Sequence, residues 1–205
     1  GSGNFLTETY LSLRKLENEA IKLQQGESPL LDVDEKIIKV NIHQFYGVEI
    51  NDFAVSVAKT ALWIAESQMM EETKNLIYAN FDFLPLKSYS NIIEGNALKM
   101  DWNDVIPNYK LNYIMGNPPF IGYSQQNKGQ KSDILSVYIT ETGKQYKNAG
   151  KIDYVSGWYF KASEYMSGTT IQAAFVSTNS ITQGDQIAPV WLPLLNRFSI
   201  KINFA

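Results

Sequence analysis

The sequence LNYIMGNPPF, residues 111–120, is a short apolar run that ends in two consecutive prolines. The apolar run over residues 111–115 predicts a β-strand. Proline lacks the amide hydrogen that a sheet ladder requires, so Pro118 and Pro119 cannot continue a central strand. We therefore expect a strand to end here, with Asn117 just beyond it.

Strands and helices alternate along the rest of the chain. Apolar runs predict further strands over residues 44–50, 91–95, 171–177 and 199–204. Apolar residues at helical spacing predict helices over residues 5–25, 51–72, 131–147, 153–167 and 185–196. Loops are expected over most of residues 26–44 and over residues 73–90. The alternation indicates an α/β fold with a Rossmann-like, doubly wound and mostly parallel sheet.

The first helix is predicted to be amphipathic. Gly26 and Pro29 close the helical run. An apolar stripe of this kind usually packs one face of a helix on the core. The stripe consists of Leu6, Tyr10, Leu13, Leu16, Ala20 and Leu23.

Composition excludes several classes of protein. With 205 residues, of which 44% are hydrophobic and 19% charged, the chain suits one soluble domain. No apolar run approaches the roughly 18 residues that span a bilayer, so we expect no membrane partner. The chain has no cysteine and one histidine, His43, so neither a disulfide nor a metal site is expected. No secretory leader opens it, which favours a cytoplasmic location.

The charge balance does not by itself point to a nucleic-acid partner. The net charge is -3, whereas duplex binding normally rests on lysine and arginine. Basic residues do cluster, but such groups are more typical of a solvated face than of a nucleic-acid contact. The clusters contain Lys128 and Lys131, then Lys144, Lys147 and Lys151.

Polar residues follow three of the predicted strands. In doubly wound sheets, ligands bind beyond the carboxyl ends of the strands. Glu49, the pair Gly95-Asn96 and Asn117 each lie just past such an end. We therefore expect all three positions to open onto one rim.

Two of the candidate binding segments have ordinary explanations as well. The segment Gly1-Ser2-Gly3-Asn4-Phe5 precedes a helix, where glycine lets backbone amides approach a ligand. It is equally consistent with a flexible end or a cloning residue. Glu49 is placed to accept hydrogen bonds from ribose hydroxyls, but it is also consistent with an exposed or helix-capping acid near Asp52.

The segment Asn117-Pro118-Pro119-Phe120 carries the most specific chemical signal. Prolines fix the backbone and remove donors, which leaves a rigid array of acceptors. The Asn117 side-chain oxygen and the Pro118 carbonyl oxygen can accept both hydrogens of an aromatic amino group, turning its lone pair toward an electrophilic methyl group. Phe120 offers a face on which a base can stack. An ordinary turn with a buried aromatic anchor is the alternative.

Four segments in order resemble the motifs of class I adenine-specific DNA methyltransferases, which use S-adenosylmethionine. They are residues 1–5, 46–51, 95–98 and 116–120. The chain is most similar to the MmeI-like enzymes of restriction-modification systems. Residues 120–122, 128–133 and 176–184 carry this closer likeness.

The resemblance implies S-adenosylmethionine as cofactor and, as partner, double-stranded DNA with an adenine flipped out of the stack. It assigns the target base to Asn117, Pro118, Pro119 and Phe120. Ser180 and Gln183 lie in the segment after the fifth strand of the family. The cofactor-binding positions it implies are Gly1, Gly3, Asn4, Phe5, Glu49, Ile50, Asn96, Ala97, Asn117, Asp133 and Tyr138.

The sequence departs from the family pattern in two respects. The family usually has an acid at the position of Asn96. The chain also begins inside the glycine motif and stops at Ala205, before the family's last motif. We therefore expect residues 1–205 to be a partial catalytic domain, incomplete at both ends. Target recognition, any nuclease and much of the basic DNA-binding surface would belong to other domains of the same parent chain.

Other functions remain open at this stage. The same array of asparagine, two prolines and an aromatic residue occurs in enzymes that methylate a guanine amino group in RNA or a glutamine side chain in proteins. A non-catalytic DNA-recognition module is a further alternative. Trp158 and Tyr159, within a helical pattern, are expected to be core residues.

Overall fold

The computed structural model of the chain describes residues 3–25, 37–77 and 91–203. These residues form two compact units, Gly1–Gly95 and Asn96–Ala205. Of the loops predicted over residues 26–44 and 73–90, residues 26–36 and 78–90 lie outside the described residues, as do Gly1 and the last residue of the final predicted strand. Residues 73–77 are helical rather than part of a loop.

The first unit contains two long helices and a short parallel sheet. The helices are α1, Asn4–Gln25, and α2, Asp52–Ile77. The strands are β1, Gly47–Glu49, and β2, Ile92–Glu94, which pair in parallel with Glu49 opposite Glu94. The predicted strand ending at Glu49 and both helices are confirmed.

The helix α1 buries only part of its predicted apolar stripe, because Tyr10 lies in the core and Leu6 packs against it. Leu13, Leu16 and Leu23 are 41%, 67% and 83% exposed. Buried Arg14 instead donates from Nη2 to Thr73 Oγ1 at 2.7 Å and pairs with Glu17. Because α2 offers Thr73 as a polar partner, Arg14 Nη2 and the side-chain amide of Asn18 can be buried on this face. The buried residues of α1 are Tyr10, Arg14, Asn18 and Ile21.

In its described residues, the second unit contains three α-helices and another parallel strand pair. The strands are β3, Tyr113–Gly116, and β4, Gln172–Phe175, with Gly116 opposite Phe175. Its core lies among the helices and includes Ile134, Phe160 and Val190. The helices are α3, Lys128–Val137, α4, Ser156–Met166, and α5, Ile187–Asn196.

Two predictions in this unit were wrong. The helix predicted over residues 131–147 ends at Val137, because Tyr138 leaves helical geometry and Ile139 bridges to Gln145 in an antiparallel turn. Gly143 in that turn has a φ of +78°, which favours glycine. The strand predicted over residues 199–204 is not formed at residues 199–203, where Ser199 has a φ of 53°.

The sheet topology agrees with the predicted fold class in part. Both strand pairs are parallel, as expected of an α/β protein. They form two separate two-stranded sheets in the described residues, rather than one continuous doubly wound sheet. In the described part of the chain, no helix has the length and apolar character needed to cross a membrane.

Candidate active site

The strand β3 ends at the two prolines, as the sequence predicts. The N–H of Val176, the residue after β4, donates to the carbonyl oxygen of Gly116, the last residue of β3, at 3.0 Å. Pro118 and Pro119 have no N–H, so the ladder stops there. Pro118 is buried, while Asn117 and Pro119 are exposed. The buried proline anchors the corner and leaves the asparagine at the surface.

Two acceptor oxygens at this corner are unused within the described residues. Neither the Asn117 side chain nor the Pro118 carbonyl oxygen has a hydrogen-bond partner there. Phe120 follows with 46% of its side chain exposed. Phe120 is therefore not the buried aromatic anchor that the alternative of an ordinary turn expected.

The loop after this corner, residues 121–126, is held by three hydrogen bonds to residues 152–154. We call residues 121–126 the corner loop. Two of the bonds use its backbone, so the main chain itself is fixed. The bonds join Tyr154 N to Ile121 O, Tyr123 N to Asp153 Oδ1 and Gln126 Nε2 to Ile152 O, each at 2.9 Å.

Asp153 also reaches the segment that follows β4. Its side chain is buried, and Oδ2 accepts a hydrogen bond of 2.5 Å from Ser180 Oγ. Its backbone N–H donates to Gln186 Oε1 at 2.9 Å. Of the two positions that the resemblance singles out in this segment, Ser180 is therefore tied to the corner loop through one carboxylate, whereas Gln183 is exposed.

Asn96 is paired with Asp133. Asn96 Nδ2 donates to Asp133 Oδ2 at 2.9 Å, and Asn96 Oδ1 accepts from the N–H of Leu98 at 3.0 Å. The same Asp133 oxygen accepts from the Tyr154 hydroxyl at 2.9 Å. The amide of Asn96 is therefore fixed in orientation, with one amide hydrogen left for another partner.

The buried carboxylate of Asp133 is kept ionised by its donors. Burial alone would raise its pKa, but hydrogen bonds from Asn96, Tyr154 and Lys99 outweigh burial and hold the pKa below its usual value. Lys99 Nζ lies 3.1 Å from Oδ1 and is itself 62% exposed. The pKa of Tyr154 is raised by burial and by its bond to Asp133, so the tyrosine remains a donor.

Glu49 lies at the end of β1 in the first unit. Its Oε1 accepts from the N–H groups of Ile50 at 3.0 Å and Asn51 at 3.4 Å. Asn51, rather than Glu49, caps α2 by accepting from the N–H of Ala54 at 2.9 Å. Ile50 beside it is 68% exposed. The carboxylate is thus oriented at a strand end, next to an exposed apolar side chain.

Gly3 has a packing role. Its φ is +80°, and a Cβ built on it would lie 2.6 Å from the Cβ of Ala58. A glycine is therefore required for α1 to begin against α2, whether or not a ligand approaches. Asn4 and Phe5 form the first turn of α1 and are exposed.

Four other positions named from the sequence are core or scaffold residues. Tyr138, implied as a cofactor contact, is completely buried and donates to the Ser156 carbonyl at 3.1 Å. Burial on every side leaves it no surface for a ligand. Ala97 is half-buried, and its carbonyl accepts from Trp102 Nε1 at 2.8 Å. Trp158 and Tyr159 pack against the core of the second unit, which confirms that prediction.

Sequence reasoning missed the pair Asp153-Tyr154. The sequence did contain a signal for this pair. In the segment KIDYV, residues 151–155, the acid Asp153 stands among apolar and aromatic neighbours. A charged side chain inside a buried apolar run is almost always paired. Its partners are remote in sequence, so their identity was not readable from the pattern.

The chain matches one protein family over residues 1–205, described as "MmeI, DNA-methyltransferase domain". It is 45% identical over 208 residues to DNA methyltransferase A of Bacillus subtilis, covering 100% of this chain and 23% of that protein. It is 27% identical over 132 residues to a putative type II restriction enzyme and methyltransferase of Methanocaldococcus jannaschii, covering 64% of this chain and 9% of that protein.

A solved structure is also similar. The type IIL restriction-modification enzyme MmeI, in complex with DNA, matches with a TM-score of 0.85 and 44% identity. The match covers 95% of this chain and 26% of that one. The chain thus spans about a quarter of the length of both proteins to which it is more than 40% identical.

Proposed function

The chain belongs to the MmeI DNA-methyltransferase domain family, and from that premise we propose that it transfers a methyl group from S-adenosylmethionine to the exocyclic amino group of adenine in DNA. We further propose that the protein carrying it serves a restriction-modification system, as the solved relative does. The observation that carries the choice of acceptor is the pair of unpartnered oxygens at Asn117 and Pro118.

Two acceptors on neighbouring residues suit a planar amine that has two hydrogens. Asn117 Oδ1 and the Pro118 carbonyl oxygen each accept one hydrogen, which draws the nitrogen lone pair out of conjugation with the ring and toward the methyl group. The nitrogen becomes positively charged as it bonds to carbon, and the two fixed dipoles stabilise that charge. The alkylated nitrogen is acidic and loses one proton to water, so no strong base is needed.

An exposed aromatic side chain next to the acceptors supports a base as the substrate. The target nitrogen is unreachable inside a duplex, so the adenine must leave the stack. Phe120, 46% exposed, offers a ring to the flipped base. Stacking of this kind is worth roughly 1–3 kcal/mol per base.

The residues of the first unit fit the ribose and adenine of the cofactor. Glu49 supplies a carboxylate whose direction is fixed by the N–H groups of Ile50 and Asn51, and exposed Ile50 supplies an apolar contact for a ring. In the second unit, Asn96 retains one amide hydrogen for a ring nitrogen. When bound, S-adenosylmethionine supplies a methyl group on a positively charged sulfur, which keeps the electron pair of the broken bond.

A basic cleft on α3 supports contact with the DNA backbone. Lys128 and Lys131 line an open cleft of about 470 Å³ together with Gln145. Both lysines are exposed, and neither forms an ion pair within the described residues. Lysines that neutralise DNA phosphates free the cations condensed on the DNA, which favours binding. This cleft is our candidate phosphate contact within a chain of net charge -3.

The proposal is tested with the full-length protein and S-adenosylmethionine labelled in its methyl group. After incubation with DNA, RNA and protein acceptors, digestion to nucleosides and amino acids identifies the labelled product. We expect label only in N6-methyladenine from DNA. Asn117→Ala should lose at least about 100-fold in turnover while S-adenosylmethionine binding stays near wild type.

Asn112→Ala, at the opposite end of β3, is the matched control and should be fully active. Label in cytosine, RNA or glutamine would refute the adenine assignment. Normal turnover by Asn117→Ala would refute the site.

A further inference from the structure

One buried carboxylate connects the two loops that follow β3 and β4. Asp153 Oδ1 accepts from the N–H of Tyr123 in the corner loop, and Asp153 Oδ2 accepts from Ser180 Oγ in the segment after β4. The side chain is only 6% exposed. Each oxygen therefore depends on a donor from a different loop.

The next residue makes a parallel set of connections. The N–H of Tyr154 donates to Ile121 O in the corner loop, and its hydroxyl donates to Asp133 Oδ2. Asp133 in turn accepts from Asn96. Asp153-Tyr154 thus joins the corner loop to Ser180 on one side and to Asn96 on the other.

We infer that Asp153 is a positioning residue for the Asn117 corner, fixing the corner loop against the segment after β4 so that Phe120 and the two acceptor oxygens are held in a productive geometry. This inference rests on the proposed function of that corner. Tyr123 lies three residues after Phe120, so a shift of its amide is transmitted to the aromatic ring through Ile121 and Gly122. Displacements of about 1 Å at a reacting site can cost on the order of 100-fold in rate.

The inferred role of Asp153 depends on its hydrogen bonds and not on its charge. Replacement by Asn should therefore preserve the role, whereas replacement by Ala should not. In Asp153→Asn, Oδ1 can still accept from Tyr123 N, and Nδ2 can donate to Ser180 Oγ, because a hydroxyl both donates and accepts. Asp153→Ala loses both connections. Ser180→Ala loses one and leaves the corner-loop bond in place.

The experiment compares Asp153→Ala, Asp153→Asn and Ser180→Ala in the full-length protein. The measurements are kcat and KM for methyl transfer to DNA, and hydrogen exchange of the Tyr123 amide. We expect Asp153→Ala to lose about 100-fold in kcat with little change in KM for S-adenosylmethionine. Its Tyr123 amide should exchange faster, whereas Asp153→Asn should keep both the protection and most of the turnover.

Tyr165→Phe is the matched control for general loss of stability. It removes another buried hydrogen bond in the same unit, from Tyr165 to the Ile106 carbonyl at 2.6 Å. We expect it to lower the melting temperature and to leave kcat near wild type. A similar fall in kcat in Tyr165→Phe would show that Asp153 acts only through stability, and would overturn the inference.

Ser180→Ala keeps the inference testable if Asp153→Ala does not fold. It should lose about 10-fold in kcat, with the Tyr123 amide still protected. Full activity in Ser180→Ala, or equal losses in Asp153→Asn and Asp153→Ala, would contradict the geometric role. Asn117→Ala, measured alongside, separates the two proposals, since its normal turnover would refute the proposed function itself.

Discussion

Asn96 donates a hydrogen bond of 2.9 Å to the buried carboxylate of Asp133, which lies 37 residues further along the chain. This pair puts the acid on α3 and the amide after β2, whereas the resembling family usually has the acid at the position of Asn96. An acid at position 96 would place two carboxylates in contact, where they would repel each other, and the neutral amide avoids that repulsion.

Asn96→Asp should therefore destabilise the protein. Two carboxylates in contact cannot both be ionised at low cost, so the pKa of one rises. We expect the free energy of unfolding to fall by about 1–3 kcal/mol at neutral pH, measured by urea denaturation. The exchange variant Asn96→Asp/Asp133→Asn restores one acid and one amide and should recover part of the loss. If the double variant loses the sum of the two single losses in free energy of unfolding, residues 96 and 133 do not interact directly.

Asp133 should also contribute a pH-dependent part of the stability. Its pKa is lowered in the folded state by its donors, so its stabilising contribution is fully present above the unfolded pKa of about 3.9 and is lost as pH falls through the lower, folded value. The difference in unfolding free energy between wild type and Asp133→Asn should be largest near neutral pH and shrink on acidification below about pH 4. A difference that is constant with pH would show that ionisation of Asp133 is irrelevant.

Phe120→Ala should lower kcat/KM for DNA and leave S-adenosylmethionine binding unchanged. Loss of one stacking face of roughly 1–3 kcal/mol predicts a fall in kcat/KM for DNA of about 10- to 100-fold. Phe120→Trp, which retains a ring, should keep most of the activity. Tyr109→Ala removes a ring that is 78% exposed in the same unit and serves as the control. Equal effects of the Phe120 and Tyr109 replacements would disprove a specific role.

Gly3→Ala should destabilise the packing of α1 on α2. The new Cβ would lie 2.6 Å from that of Ala58, on a backbone with a φ of +80°. Gly143→Ala is the control, because Gly143 has a similar φ of +78° but an added Cβ would meet nothing within 4 Å. We expect Gly3→Ala to cost about 1–3 kcal/mol more than the control, because overpacking adds to the strain that both share. If both variants lose the same free energy of unfolding in chemical denaturation, the protein accommodates the new Cβ beside Ala58 without strain.

Lys128→Gln/Lys131→Gln should weaken binding to all DNA sequences alike. Each lysine that meets a phosphate contributes about one unit to the salt dependence, so the slope of log K against log salt should become shallower by about 2. The control is Lys15→Gln/Lys22→Gln, which removes the same charge from exposed positions of α1. An unchanged slope in the α3 variant would exclude the cleft as a phosphate contact.

The sequence alone determined the features that depend on local backbone chemistry. The prolines at 118 and 119 end β3 because they have no N–H, and the helical spacing of apolar residues located α1, α2 and α5. The ordered motifs also identified the family, since four segments in sequence are rarely matched by accident. These features require only the identities of neighbouring residues.

Tertiary structure decided which side chains are paired and which are exposed. Local periodicity could not reveal that α1 buries Arg14 rather than Leu16, because the choice depends on Thr73 in another helix. It could not reveal that Asp153 holds both Tyr123 and Ser180, or that Asn96 is bound to Asp133. A buried charge is stable only where the fold supplies its donors, and those donors are distant in sequence.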